Sequence, residues 1–418
     1  MINKLIYSNG KQRIYGLEFI LIIIFLITVF ADMSEEGIYY SKFLIIMMIS
    51  LVYFVKNKSI SFEKNIYIFY LFLILTGASG LYGFRNDVTI GNLLTLTCCL
   101  MLVIVLPLIL STKERLYIFM SWFIIFGLIL SVYVISLTDY NRLLEGRYYA
   151  SEVLEESIGN RNAVALLIGL AFNFGVYKVF YQRNYKHLIF ALVMLTAVLL
   201  TGSRKGLLIC FIPMFINIFL MGMKSNLKKN IQYFFVSLIL ATLLSVLFYN
   251  ILFKIDILYE NIGWRFESMY QEIFLHESSN EGSYHTRKNM IQYGMDYFKE
   301  RPLLGHGIEN FRYLYAQEVG KETYSHNNYI ELLVNNGIVG LLLYYSFYIS
   351  VILKANDRRR KSKSLEEKRY YLFCISLLIC MFIIDWGLVS YKWYPNYILL
   401  ALALKPNWKN EADVSLLK

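Results

Sequence analysis

The chain has 418 residues, 57% of them hydrophobic and 17% charged, and a mean hydropathy of +0.49, a composition that excludes a soluble globular domain. In a soluble protein the formal net charge of +11 would point to nucleic acid, but here the basic residues lie in short loops between apolar runs, where they orient helices, and no nucleic-acid motif accompanies them. Cys98, Cys99, Cys210, Cys374 and Cys380 all fall inside apolar runs, which leaves neither a disulfide framework nor a Cys-x-x-Cys metal site.

Taking about 20 apolar residues per crossing, the chain is expected to form about twelve spans, near 15–32, 37–55, 65–84, 90–110, 116–137, 161–181, 187–202, 205–222, 231–253, 328–353, 370–388 and 392–405. The first run follows a basic N-terminus but precedes no small-residue cleavage site, so it reads as a transmembrane helix and not a secretory signal. The expected fold is an all-α polytopic bundle, a single membrane domain over 1–418, with one long, partly helical extracytoplasmic loop at 254–327. A cytoplasmic N-terminus puts Lys4, Lys11 and Arg13, Lys56, Lys58 and Lys64, Lys113 and Arg115, Lys178, Arg183 and Lys186, Lys224 to Lys229, and the cluster Lys354 to Arg369 inside. The outer segments are then acidic or mixed, and both termini are cytoplasmic.

One short loop departs from this charge rule. Thr201-Gly202-Ser203-Arg204-Lys205-Gly206 puts two basic residues outside, at a helix start whose macrodipole disfavours cations, and so calls for an anionic partner. Downstream, Arg287, Met290, Ile291, Gly294, Tyr297 and Phe298 recur at three- and four-residue spacing between Ser283 and Glu300, the pattern of an amphipathic helix. This helix is expected along the membrane interface, with Tyr297 and Phe298 facing down.

His326 stands where this polar interval turns into the next apolar helix. At a helix N-terminus a histidine binds a proton less readily and an anion is favoured, so a neutral His326 is placed to act as a general base; the plain alternative is an interfacial histidine that caps its helix. Arg204 and Arg287 carry the forked geometry that binds phosphate. Gly337 and Gly340 read as sites of close helix packing. Arg161 and Asn162, at the start of the sixth span, face the same side. His276, His285 and His306 have no partner at metal-ligand spacing, so no metal is assigned.

Three stretches together resemble the bacterial O-antigen ligase and polymerase superfamily. They are Thr201 to Gly206; Gly282-Ser283-Tyr284-His285-Thr286-Arg287 with Arg301-Pro302-Leu303-Leu304-Gly305-His306-Gly307; and His326-Asn327 with Gly337-Ile338-Val339-Gly340. The resemblance implies a glycosyltransferase of the bacterial cytoplasmic membrane, acting on its extracytoplasmic side without metal or other cofactor, on undecaprenyl-pyrophosphate-linked donor and acceptor glycans. It makes His326 the catalytic base and Arg204 and Arg287 the pyrophosphate-holding arginines. Arg265 is a further expected arginine, and Lys205, Arg161, Asn162 and Asn327 are expected to bind substrate. The histidine at 306 departs from the pattern and takes no role.

Within the family, the richness in Ile, Lys, Asn and Tyr and the run Asn-Asn-Tyr-Ile-Glu-Leu-Leu-Val look like a capsule or other surface-polysaccharide polymerase, working with a chain-length regulator and a flippase. The alternative acceptor is a lipid A-core, which makes the protein an O-antigen ligase. A twelve-helix transporter is the reading from another class, but no two-half repeat supports it.

Overall fold

The computed structural model describes residues 7–8, 12–13, 16–31, 39–58, 63–84, 86–141, 160–222, 253–259, 263–271 and 283–408, with isolated positions between 231 and 250. Apart from a two-residue antiparallel pairing of Tyr7–Ser8 with Gln12–Arg13, the regular elements among these residues are helical. In chain order they include α1 (Leu17–Ala31), α2 (Tyr39–Asn57), α3 (Ile66–Ala78), α4 (Asn86–Ile109), α5 (Lys113–Leu137), α6 (Arg161–Gln182), α7 (Lys186–Leu200) and α8 (Arg204–Gly222). Then come α9 (Trp264–Tyr270), α10 (Ser283–Glu300), α11 (Asn310–Val319), α12 (Asn328–Lys361), α13 (Leu365–Ile384) and α14 (Tyr394–Ala403). Among the described residues, five helical segments are long and apolar enough to cross a membrane: Asp87–Ile109, Lys113–Leu137, Arg161–Gln182, Arg204–Met221 and Asn328–Lys361. Most of the expected span at 231–253 lies outside the described residues.

The bundle is organised around α6, whose middle is buried from Val164 to Gly175. Small residues let its neighbours approach closely. A Cβ on Gly206 of α8 would lie 2.6 Å from that of Ala165, one on Gly169 would lie 2.2 Å from Ile209 Cγ2, and one on Gly127 of α5 would lie 2.2 Å from Ala171 Cβ. Asn173 Nδ2 crosses the same seam, donating to the Ile209 carbonyl at 2.7 Å. Large apolar side chains on the outer helices stay exposed, among them Leu51, Val55, Ile189 and Leu192; such a face suits lipid, while the helical backbone satisfies its own hydrogen bonds.

The two ends of the bundle differ in charge. At one end Lys56 and Arg115 pair with buried Glu18 at 2.7 and 3.4 Å, Lys113 with Glu366 at 2.6 Å, and Lys354 with Glu63 at 2.9 Å. Arg358 also reaches Glu63 and the Leu404 carbonyl there. At the opposite end lie the starts of α4, α6, α8 and α12, tied to one another and to the 385–393 turn by side-chain hydrogen bonds, among them Lys392 Nζ to Asn92 at 2.9 Å.

Over this second end lie α10 and α11. Met290 and Tyr297 of α10 are buried with Phe311 and Tyr315 of α11 and with Ile330 and Val334 of α12, and a Cβ on Gly294 would come within 2.3 Å of Ile330 Cγ2. The amphipathic stripe is therefore real, but Tyr297 faces protein and not the bilayer, because α11 and α12 offer it an aromatic and aliphatic surface.

Helix α12 breaks at Gly337, where φ is 65° and ψ −172°, a region open essentially to glycine alone. The break frees the carbonyls of Val334 and Asn335 and the N–H groups of Ile338 and Val339, which an unbroken helix would pair. The Arg301–Gly307 turn pairs all four. His306 N–H donates to Val334 O and Gly307 N–H to Asn335 O, both at 2.8 Å, while Ile338 and Val339 N–H donate to Pro302 O at 2.9 Å and Leu303 O at 3.3 Å. The close packing expected at Gly337 is thus a contact with this turn: a Cβ there would lie 2.2 Å from Leu303 O.

Candidate functional site

The turn before α12 presents His326. Asn327 caps the helix, its Oδ1 accepting from the N–H groups of Tyr329 at 3.0 Å and Ile330 at 3.1 Å, so His326 is not the capping residue. Its backbone is instead left-handed, with φ 55°, a conformation that costs a non-glycine residue and that the surroundings must enforce. Ser325 supplies part of that constraint: its hydroxyl donates to Asn327 O at 2.7 Å, and its N–H donates to the buried Glu331 Oε2 at 2.8 Å. Asn327 Nδ2 is buried with no hydrogen-bond partner among the described residues.

Three helix starts meet here. Asn160 caps α6 through its Oδ1 and donates from Nδ2 to the Tyr324 hydroxyl at 3.3 Å. Asn162 accepts from the Ser203 hydroxyl at 2.8 Å, and Ser203 Oγ accepts from Gly206 N at 3.3 Å at the start of α8. Tyr324, two residues before His326, lies with its ring centroid 4.1 Å from that of His326. The partial positive charges of α6, α8 and α12 are thus brought to one place.

Side-chain cations add to them. Lys205, Arg287, Arg312 and Lys321 all bear on His326, and together with burial, the largest cause, they hold its imidazole far below the ordinary histidine range, at about 3. Arg204 and Arg287 bear in turn on Lys205, whose stem lies along Gly387, with Cε 3.3 Å from where a Cβ there would be. The structure therefore brings together His326, Arg204, Lys205 and Arg287. Arg161 and Asn162 stand at the adjoining start of α6, half-buried. Arg265 lies in α9, and its side chain is outside the described residues, as is His276.

Arg312 and Lys321 were not legible as site residues. Arg312 rests over the Tyr324 ring at 5.3 Å and pairs with Glu309 at 2.9 Å; it reaches the site because α11 folds back on α12, which no local pattern announces. His306 is buried, with Nε2 donating to the Tyr297 carbonyl at 2.8 Å, and it braces the turn at the helix break. Burial, with Arg301 adding to it, lowers its proton affinity. His187 lies at the start of α7, at the far end of that helix from the site.

Cations gathered about a neutral imidazole suit a reaction in which a hydroxyl is deprotonated while an anion departs. A family model described as O-antigen ligase matches residues 189–345, from α7 into α12. That segment contains Arg204, Lys205, Arg265, Arg287 and His326. No curated protein matches the chain.

Proposed function

We propose that this chain, whose residues 189–345 match a family model described as O-antigen ligase, belongs to the O-antigen ligase and polymerase superfamily and is a surface-polysaccharide polymerase. It moves a growing glycan from undecaprenyl pyrophosphate onto a lipid-linked repeat unit by metal-independent glycosyl transfer. The observation that carries this reading is the convergence of Lys205, Arg287, Arg312 and Lys321 on His326. A ring nitrogen of His326 accepts the proton of the acceptor hydroxyl as its oxygen forms a bond to the anomeric carbon. The bond from that carbon to the pyrophosphate oxygen breaks, and the electron pair leaves with the pyrophosphate, whose charge Arg204, Lys205 and Arg287 receive. One displacement inverts the anomeric centre.

The finer topology belongs to the same proposal. About twelve spans in the bacterial cytoplasmic membrane, with both termini inside, put the Lys56, Lys113, Arg115, Lys354 and Arg358 end in the cytoplasm, in keeping with the positive-inside rule. The 254–327 segment and His326 then face the extracytoplasmic side, where the chain-length regulator and flippase would also meet the glycan.

The test is incubation of purified protein with a defined lipid-pyrophosphate repeat. A glycan ladder is expected, and His326→Ala should lose about 10²–10⁴-fold in rate while keeping its elution profile and helical content. Full activity in that variant overturns the assignment. Transfer to a lipid A-core acceptor in place of ladder formation assigns the ligase reaction.

A further inference from the structure

The backbone of His326 and its side chain are held by different devices. Ser325 and Glu331 fix the left-handed turn, while the imidazole itself lies against Tyr324. The two ring centroids are 4.1 Å apart at an interplanar angle of 51°, closer than the about 4.5–7 Å usual for aromatic pairs, so the imidazole cannot swing toward that side. Tyr324 stands in the irregular segment before α12, where no regular element gives its ring a place, and two other elements supply one. At the start of α6, Asn160 Nδ2 donates to the Tyr324 hydroxyl at 3.3 Å while Asn160 Oδ1 caps the helix. From α11, Arg312 Cζ lies 5.3 Å from the ring centroid, within the about 6 Å reach of a cation–π contact. Arg312 is paired in turn with Glu309 at 2.9 Å, and Glu309 with Lys392, which donates to Asn92 of α4 at 2.9 Å. Glu309 has a left-handed backbone there, φ 63°, a strain that its surroundings must enforce.

We propose that Tyr324 is a positioning residue for the glycosyl transfer: its ring, anchored by Asn160 and covered by Arg312, holds the His326 imidazole in the direction in which it meets the acceptor hydroxyl. This rests on the transferase reading above. It gives Arg312, whose charge Glu309 already engages, a role through the ring it covers, and it gives Asn160 a role beyond its cap. The imidazole is then oriented by α6 and α11 as well as by its own segment, so a change in how those elements meet reaches the chemistry. A misplacement of about 1 Å at a reacting group costs on the order of 10²-fold in rate.

The full protein in lipid discs is compared with Tyr324→Leu, which removes the ring, Tyr324→Phe, which removes only the hydroxyl, and Asn160→Ser, which keeps a capping oxygen and removes the amide donor. With a defined lipid-pyrophosphate repeat as substrate, Tyr324→Leu should lower the maximal rate of ladder formation by about 10–100-fold, with KM and melting temperature near the parent's. Tyr324→Phe and Asn160→Ser should each lose about threefold to tenfold, and together no more than either alone, because both remove the same bond. The second reading is spectroscopic. The chain has five histidines, and in protein carrying ¹³C-histidine the His326 imidazole resonance is the one lost in His326→Gln. The ring current of Tyr324 acts on it, so Tyr324→Leu should move it far more than the other histidine resonances, and Tyr324→Phe should leave it near its place. An unchanged rate in Tyr324→Leu overturns the proposal, as does a change confined to KM, which would make the ring a sugar contact, or a His326 resonance that moves no more than the rest. Should Tyr324→Leu not fold, the pair of milder variants decides: additive losses, or none, overturn the proposal. A ladder formed at the parent's rate by Tyr324→Leu leaves the transferase reading standing and sinks this inference alone. A parent protein that forms no ladder, with the resonance moving as expected, sinks the transferase reading and the role with it, while the ring contact stands.

Discussion

Glu331 braces the turn that carries His326. It is 1% exposed, and its two carboxylate oxygens accept from Ser325 N–H at 2.8 Å and from Asn335 Nδ2 at 3.2 Å, joining the left-handed turn at His326 to the helix that follows. Glu331→Gln replaces one acceptor with a donor that faces another donor, at a cost of about 1–3 kcal/mol. The expected result is a turnover rate down by about tenfold, with little change in the donor KM, since the cations stay in place; a change confined to KM would mean that Glu331 does not position the base. His326 also sets a pH dependence of stability. Its folded-state midpoint, about 3, lies below the unfolded value of about 6.5, and that of His306 is lowered as well. Between those values the unfolded chain binds more protons, so stability is fully present above about pH 6.5 and falls as pH drops toward 3. Melting temperature should therefore decline on acidification from pH 7 to pH 4, and His326→Gln should flatten part of that decline. A variant with an unchanged slope would place His326 in a milder field than the structure shows.

The break in α12 is the element on which the site depends, and it shows where sequence reading stops. The apolar run from Asn328 onward marks the helix, and the capping chemistry of Asn327 fits its start, but a break of one residue leaves no periodic signal. Gly337 and Gly340 carry the spacing of close-packed helices, and only the Arg301–Gly307 turn, some thirty residues upstream, reveals that Gly337 serves the backbone. Gly337→Ala would put a Cβ 2.2 Å from Leu303 O on a residue with φ 65° and ψ −172°. A loss of about 3 kcal/mol or more is expected, visible as a lower unfolding temperature in detergent, with activity falling alongside because α11, which carries Arg312, hangs from the same turn. A wild-type melting curve would show that the break is not held by glycine. Arg312 was hidden for the same reason: its place follows from how α11 docks on Val334 and Ile330, a tertiary fact.

At the scale of the whole molecule, hydropathy made the helical membrane character legible, and alternating loop charge made two unlike ends legible. The structure gathers Lys56, Lys113, Arg115, Lys354 and Arg358 at one end, paired with Glu18, Glu63 and Glu366. The exception to the charge rule, Arg204-Lys205, falls at the other end, beside His326, so the residues that fail to orient the helices are those to which the proposed function gives the anion. Which end faces the cytoplasm can be read by labelling, because all five native cysteines are buried and give little background. Lys321 and Lys363 are exposed, the first beside the site and the second just beyond the end of α12, at the opposite end. Lys321→Cys should react with a membrane-impermeant maleimide on intact cells, and Lys363→Cys only after the membrane is opened. That pattern would account for both basic clusters, the inner set by the positive-inside rule and the outer set by the proposed pyrophosphate. The reverse labelling pattern would place His326 in the cytoplasm, out of reach of glycan on the extracytoplasmic side, and would overturn the proposed polymerase.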